Sequence, residues 1–228
     1  MLSSRYCPWL ILGGVGALLL IFWTVGMGGS GAAPAASHRD GEKAATDASD
    51  HFRDKHFVTP RQLAESNAMV NRVVGGLEAT GHDGRRRRWA DLSGGQPVVV
   101  VFIKDGCPCS VEFQPFFQRV ADLYRGRVRF VGVIDASVEA ARQYATEQHV
   151  PYPILADPDR RIIRLLQAQH GGYLALLTAD GVIDAFWPGC TETTMRDLGR
   201  RIARLAGVAE RPLDVTGMAG PLTTGCPF

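Results

Sequence analysis

Val98-Val99-Val100-Val101-Phe102-Ile103-Lys104-Asp105-Gly106-Cys107-Pro108-Cys109-Ser110 is the stretch from which the rest of the chain is read. An unbroken run of apolar β-formers reads as a strand buried on both faces. Asp105-Gly106 turns the chain, two cysteines follow with one residue between them, and an amphipathic helix begins. A buried strand that delivers thiols to a helix N-terminus has a chemical use. The free N–H groups and partial positive charge of that helix end favour thiolate over thiol. The pattern predicts a thiol redox site with Cys107 and Cys109 as its reactive groups.

Downstream, Phe113, Phe116, Phe117, Val120, Leu123 and Tyr124 recur at three and four, which predicts a helix packed on a sheet. Gly126 closes it. Val128 to Ile134 reads as the next strand, and Ser137 caps a helix running to about Gln148 with Ala140, Ala141 and Tyr144 on its apolar side. Pro151-Tyr152-Pro153-Ile154-Leu155 is a short extended piece. Asp157-Pro158-Asp159 starts a helix carrying Ile162, Ile163, Leu165 and Leu166. Tyr173 to Thr178 and Val182 to Trp187, around Ala179-Asp180-Gly181, read as a hairpin. A last helix runs from about Glu192 to Leu205, and residues 207–228 form a tail rich in Pro, Gly and Thr. Strands alternating with helices, then a hairpin and a final helix, give an α/β sheet covered on both faces.

Upstream, Thr59-Pro60 opens a helical stretch whose partial apolar face is Leu63, Met69, Val70 and Val73-Val74. Arg85-Arg86-Arg87-Arg88 reads as a solvated turn between strands. Residues 28–56, rich in Gly, Ala, Ser and charge, show no apolar period and read as a flexible linker. From Trp9 to about Met27 no residue is charged. That run is longer than a usual signal core and just long enough to span a bilayer. Signal anchor and cleaved signal peptide are both open, with the anchor preferred. Either way the bulk of the chain is exported, with Arg5 on the cytoplasmic side. A net charge of +2 over 228 residues gives no argument for nucleic acid, and five cysteines are too few for a disulfide scaffold.

Cys107 at a strand-to-helix junction with Pro115 eight positions on resembles the active-site helix of the thioredoxin superfamily. The elements from 137 to 159 and the Asp180-Gly181 hairpin are similar to AhpC/TSA-type redoxins and their peroxiredoxin relatives. The resemblance covers roughly residues 75–206. It implies a thioredoxin-like fold, with a central mixed sheet flanked by helices. On its register Cys107 is the attacking cysteine, and Ser110 stands where thioredoxins have their second one. Lys104 stands where peroxiredoxins resemble one another in a Thr or Ser, and their active-site Arg has no evident counterpart on the hairpin. Gly171-Gly172-Tyr173 stands where thioredoxins have a proline facing the cysteines. Lys104 is a candidate charge for lowering the Cys107 pKa.

The implied chemistry is thiol–disulfide exchange or peroxide reduction without a cofactor, on protein or small-molecule thiols, disulfides or peroxide. Cys109 is the first-choice partner of Cys107. A ring closed over one residue is short and strained, hence easily reduced. Cys190 and Cys226 are each a resolving thiol, a structural pair with the other, or an intermolecular link, and four exported cysteines allow three pairings. Cys226 is read as lying on a mobile tail. Copper-delivering Sco-type proteins share this fold, and the likeness offers an alternative in which Cys107, Cys109 and His170 hold Cu(I). The expected organisation is a signal anchor or signal peptide over 1–29, a linker over 30–58, a redoxin domain over 59–206 and a Cys-containing tail over 207–228. The membrane is a partner through the first segment, and the domain lies on the extracytoplasmic, periplasmic side or is secreted.

Overall fold

The computed structural model describes residues 56–218 and 220–228; the apolar segment and most of the linker read from the sequence lie outside them. The described chain opens with strand β1 (His56–Phe57) and helix α1 (Pro60–Asn67). Thr59 caps α1 reciprocally. Its hydroxyl accepts from the Gln62 N–H, and Gln62 Oε1 accepts from the Thr59 N–H. The expected apolar face is corrected here. Helix α1 ends at Asn67 and buries Gln62 and Ser66, while Leu63 and Val73 are exposed. Gln62 turns inward because it serves both the cap and a hydrogen bond to His170.

Strands β2 (Glu78–Thr80) and β3 (Arg86–Arg88) pair antiparallel. The arginine run is therefore a strand rather than a turn. Arg86 and Arg88 reach Glu78 across the pair, and Arg87 reaches Asp83. Helix α2 (Trp89–Ser93) leads into β4 (Val98–Ile103). Then follow α3 (Pro108–Leu123), β5 (Arg129–Ile134), α4 (Val138–Glu147), β6 (Ile154–Ala156) and α5 (Arg161–Leu165). The hairpin strands β7 (Leu174–Leu177) and β8 (Ile183–Trp187), helix α6 (Glu192–Ala206) and strand β9 (Thr223–Thr224) complete the chain.

The main sheet has five strands in the order β6-β5-β4-β7-β8, with β4 in the middle. Strand β4 runs parallel to β5 and antiparallel to β7, so the sheet is mixed, as expected. Side chains of β4 alternate between two cores. Val99, Val101 and Ile103 share one with Phe113 and Phe117 of α3 and Leu198 of α6. Val98, Val100 and Phe102 share the other with Leu92 of α2 and Ile162 and Ile163 of α5. A strand enclosed this way ends at a fixed point, and that point carries the cysteines.

The C-terminal segment is not the mobile tail read from its composition. Strand β9 pairs with β1, and the Cys190 N–H donates to the Thr223 carbonyl at 2.8 Å. Thr224 is fully buried, and Met218 packs into the first core. Glycine and threonine look loose in a sequence, but here they let the backbone approach closely enough to hydrogen-bond throughout. Strand β1 also lies within the stretch expected to be linker, because the tail supplies its partner.

Asp157 starts α5 as expected, although that helix has only five residues. Its buried carboxylate accepts from the N–H groups of Arg161, Ile162 and Ile163 at 2.8, 3.0 and 2.9 Å. Asp157→Ala leaves these donors without a partner and is expected to lower stability by about 1–3 kcal/mol in urea unfolding. A change near zero would show that water replaces the carboxylate.

Candidate active site

Beyond Ile103 the backbone leaves the sheet. Gly106 takes a left-handed turn with φ of 69°, a conformation that costs glycine little. Cys107 is then the N-cap of α3, in extended conformation, and Pro108 fills the first helical position. The Cys107 sulfur lies at the open end of the helix and is 3% exposed.

The folded tail supplies the next part of the site. The Cys226 N–H donates to Cys107 Sγ at 3.1 Å. The Cys109 thiol hydrogen-bonds to the same sulfur and is the largest influence holding the Cys107 pKa well below the ordinary thiol range. Burial opposes this shift, and the Cys226 side chain, its N–H and the Ser110 N–H add to it. The partners move the other way. Cys109 is pushed up first by its hydrogen bond to Cys107, then by burial and by the charge of Cys107. Cys226 is pushed up first by burial, then by Cys107. The arrangement sets Cys109 and Cys226 beside Cys107, whose sulfur accepts the Cys226 N–H, and favours the thiolate at Cys107 over its neighbours. It contains an acceptor ready to attack and two groups ready to close a disulfide.

The structure thus brings together Cys107, Cys109 and Cys226. Cys190 has a different partner. It is buried, its thiol donates to the Gly172 carbonyl at 3.4 Å, and burial raises its pKa. All four are free thiols, so the Cys190–Cys226 pair weighed from the sequence is not formed. Ser110, at the place of a thioredoxin's second cysteine, is a structural anchor. Its hydroxyl accepts from the Lys104 N–H at 3.1 Å, and its carbonyl accepts from the Tyr144 hydroxyl at 2.8 Å.

Lys104 pairs with a carboxylate, and its charge lowers the pKa of Cys226 against the larger upward effect of burial. Its ammonium lies 2.7 Å from the buried Asp135 carboxylate at the end of β5, and it is absent from the groups that shift Cys107. Asp135 also accepts from the Asp105 N–H at 2.8 Å, so the pair fixes the turn that leads to the cysteines. His170 Nδ1 accepts from the Gln62 side-chain amide Nε2 at 3.0 Å, and the ring stacks on Tyr173. Among the described residues, no group of three or more His, Cys, Asp or Glu is placed to hold a metal ion.

On the side away from the tail strand, Cys107 lines a cleft of about 380 Å³ with Pro108, Val111, Ala140, Gln143 and Tyr144. Tyr144 was legible only as an apolar helix position. Gly171 was marked by its place where thioredoxins have a proline, while Gly225 of the tail, which meets it, carried no sequence signal except that it is glycine.

Comparison with known proteins agrees with this architecture. The AhpC/TSA family profile matches residues 70–202. No curated protein matches the chain. The peroxidoxin BcpB of Mycobacterium tuberculosis superposes with a TM-score of 0.53 at 18% identity, over 62% of this chain and 98% of that one. DsbF of MTB, seen in mixed oxidised and reduced forms, superposes with a TM-score of 0.50 at 25% identity, over 57% and 94%. The bacterioferritin comigratory protein of Xanthomonas campestris, studied for alkyl peroxide reduction, gives 0.50 at 16% identity, over 59% and 99%.

A depressed thiol pKa keeps the reactive thiolate present as pH falls. Cys107 is expected to alkylate with iodoacetamide at pH 6 nearly as fast as at pH 8. The unfolded chain's thiols should slow about tenfold per unit below their pKa. Cys109→Ala should move the Cys107 midpoint upward, whereas Lys104→Met should leave it in place. Mass-mapped alkylation across pH reads both, and a large shift from Lys104→Met would restore that lysine's role.

Proposed function

Because the chain belongs to the AhpC/TSA family, we propose that it is a thiol-dependent oxidoreductase in which Cys107 is the nucleophile and Cys109 and Cys226 are its resolving partners. The observation that carries this reading is the convergence of two thiols and the Cys226 N–H on one buried sulfur. Its oxidant is a peroxide or a disulfide. With a hydroperoxide, Cys107 thiolate attacks the terminal oxygen, the O–O bond breaks, and the alkoxide leaves and takes a proton. Cys107 is then a sulfenic acid. A neighbouring thiol attacks that sulfur, the S–O bond breaks, water leaves, and a disulfide forms. With a disulfide, Cys107 forms a mixed disulfide and the other sulfur leaves as thiolate. An external dithiol restores the reduced state.

Oxidation of Cys107 itself prepares the second step. Once its sulfur is no longer an anion, the first cause of the raised Cys109 pKa is gone. For Cys226 the first cause, burial, remains. Burial still opposes ionisation of both thiols, and Cys226 is the partner whose backbone N–H already meets the Cys107 sulfur.

The apolar run from Trp9 to Met27 places this chemistry on the extracytoplasmic side in our reading, tethered or secreted. Among the described residues, no helix is long and apolar enough to cross a membrane. Protease treatment of spheroplasts should cleave the domain without lysis; full protection would place it inside.

Cys107→Ser is expected to abolish consumption of hydrogen peroxide and of a small aromatic disulfide. Cys109→Ser and Cys226→Ser should each keep the first attack and slow disulfide closure. Alkylation mass mapping after one equivalent of oxidant reads the bonds formed. Unchanged consumption by Cys107→Ser would overturn the assignment.

A further inference from the structure

Three main-chain hydrogen bonds seat the last residues of the chain beside Cys107. The Gly225 N–H donates to the Gly171 carbonyl at 2.6 Å, the Gly171 N–H to the Cys226 carbonyl at 3.0 Å, and the Phe228 N–H to the Gln169 carbonyl at 3.0 Å. His170 and Pro227 face each other across this short antiparallel ladder. Thr224 adds a side-chain bond to the Gly171 carbonyl at 3.2 Å, and Cys226 and Phe228 pack against opposite cores. The segment lies as an extended peptide along a backbone edge, its cysteine turned to the reactive sulfur.

Backbone bonds of this kind do not read side chains, so an extended segment with a small residue at the crossing point offers the same groups. A protein disulfide that brings a sulfur to Cys107 from this side needs the Gly171 edge that the tail already holds. A peroxide or small disulfide needs no edge. The cleft beside Pro108 and Tyr144 reaches Cys107 from elsewhere.

We propose that the C-terminal strand is a built-in competitor for the Gly171 edge, which leaves Cys107 to small oxidants and keeps extended protein disulfides away until the strand is displaced. This rests on Cys107 as the nucleophile. The strand is anchored at Thr223–Thr224 by β1, so displacement needs only the residues beyond it to lift. With the strand lifted, Cys107 thiolate attacks one sulfur of the protein cystine. That S–S bond breaks, a Cys107–sulfur bond forms, and the other sulfur leaves as thiolate and takes a proton from solvent. Cys107 is oxidised and the cystine is reduced.

Gly225 offers a way to unseat the strand without substituting a cysteine. A Cβ there would stand 2.7 Å from the Gly171 oxygen and 2.9 Å from its carbonyl carbon, both backbone atoms. The full chain and its Gly225→Val variant are compared for single-turnover oxidation of Cys107 by insulin and by a small aromatic disulfide. Circular dichroism confirms that the variant folds. Lifting the strand also takes the Cys226 N–H from Cys107, a loss both oxidants feel alike, so the readout is the insulin rate relative to the small-disulfide rate. A tethered competitor has a high effective concentration, and its loss is expected to raise that ratio about tenfold or more. A truncation after Leu222 serves as the second variant. A peptide of residues 221–228 with Cys226→Ser, added to it, should lower the ratio again. An unchanged ratio or no effect of the peptide overturns the proposal. If Cys107 reacts with neither oxidant in any form, the nucleophile assignment fails first and takes this proposal with it.

Discussion

A sulfur anion with almost no access to water must be solvated by the protein. Cys107 is 3% exposed at the end of a strand buried on both faces, and moving a charge there without donors is prohibitive. The helix N-terminus provides part of the answer. The remainder comes from a thiol one residue beyond its neighbour and from a backbone N–H more than a hundred positions downstream. Much of the architecture follows from that need. The tail has to fold back, β1 has to be ordered to receive it, and two glycines have to meet so that the backbones touch.

The same requirement divides labour among identical groups. Three thiols in contact cannot all ionise, since each charge opposes the next. Donating a hydrogen bond to Cys107 keeps Cys109 and Cys226 protonated, and therefore unreactive, for as long as Cys107 is an anion. Protection and reactivity are then two states of one network. Cys190 shows the contrast, since it is as buried as Cys107 but meets only a carbonyl, which favours its neutral form.

What could be read from the sequence was local. The apolar run of β4, the glycine turn, Pro108 at the first helical position and Ser137 as a cap each announce themselves within a few residues; their order gives an α/β sheet, and the family resemblance implies that it is mixed. The misreadings are long-range. Arg85, Arg86 and Arg88 are solvated as read, but Arg86 to Arg88 form a strand because Glu78 to Thr80 pairs with them. Lys104 beside Cys107 in sequence suggests a charge for the thiol, yet Asp135, from the next strand, takes it. Residues 207–228 have the composition of a loose tail because their bonds are made by backbone atoms, which leave no mark on residue type.

Gly171 and Gly225 sharpen that point. A Cβ on Gly171 would stand 2.9 Å from Ser110 Oγ and 3.1 Å from the Lys104 nitrogen, and one on Gly225 would strike Gly171 itself. Gly171 is thus enclosed between the backbone of Gly225 on one side and Ser110 Oγ and Lys104 on the other. Such enclosure tolerates nothing larger than hydrogen at either position, but it accepts any sequence on the outermost strand that is extended and small at the crossing point. Substitution at the glycines therefore acts on whether the strand sits, while substitution at the cysteines acts on what happens once it does. The chemistry of Cys107 and the access to it are in this way carried by different residues, which is why a tail so plain in composition can govern a site whose reactive atoms lie almost wholly beneath it.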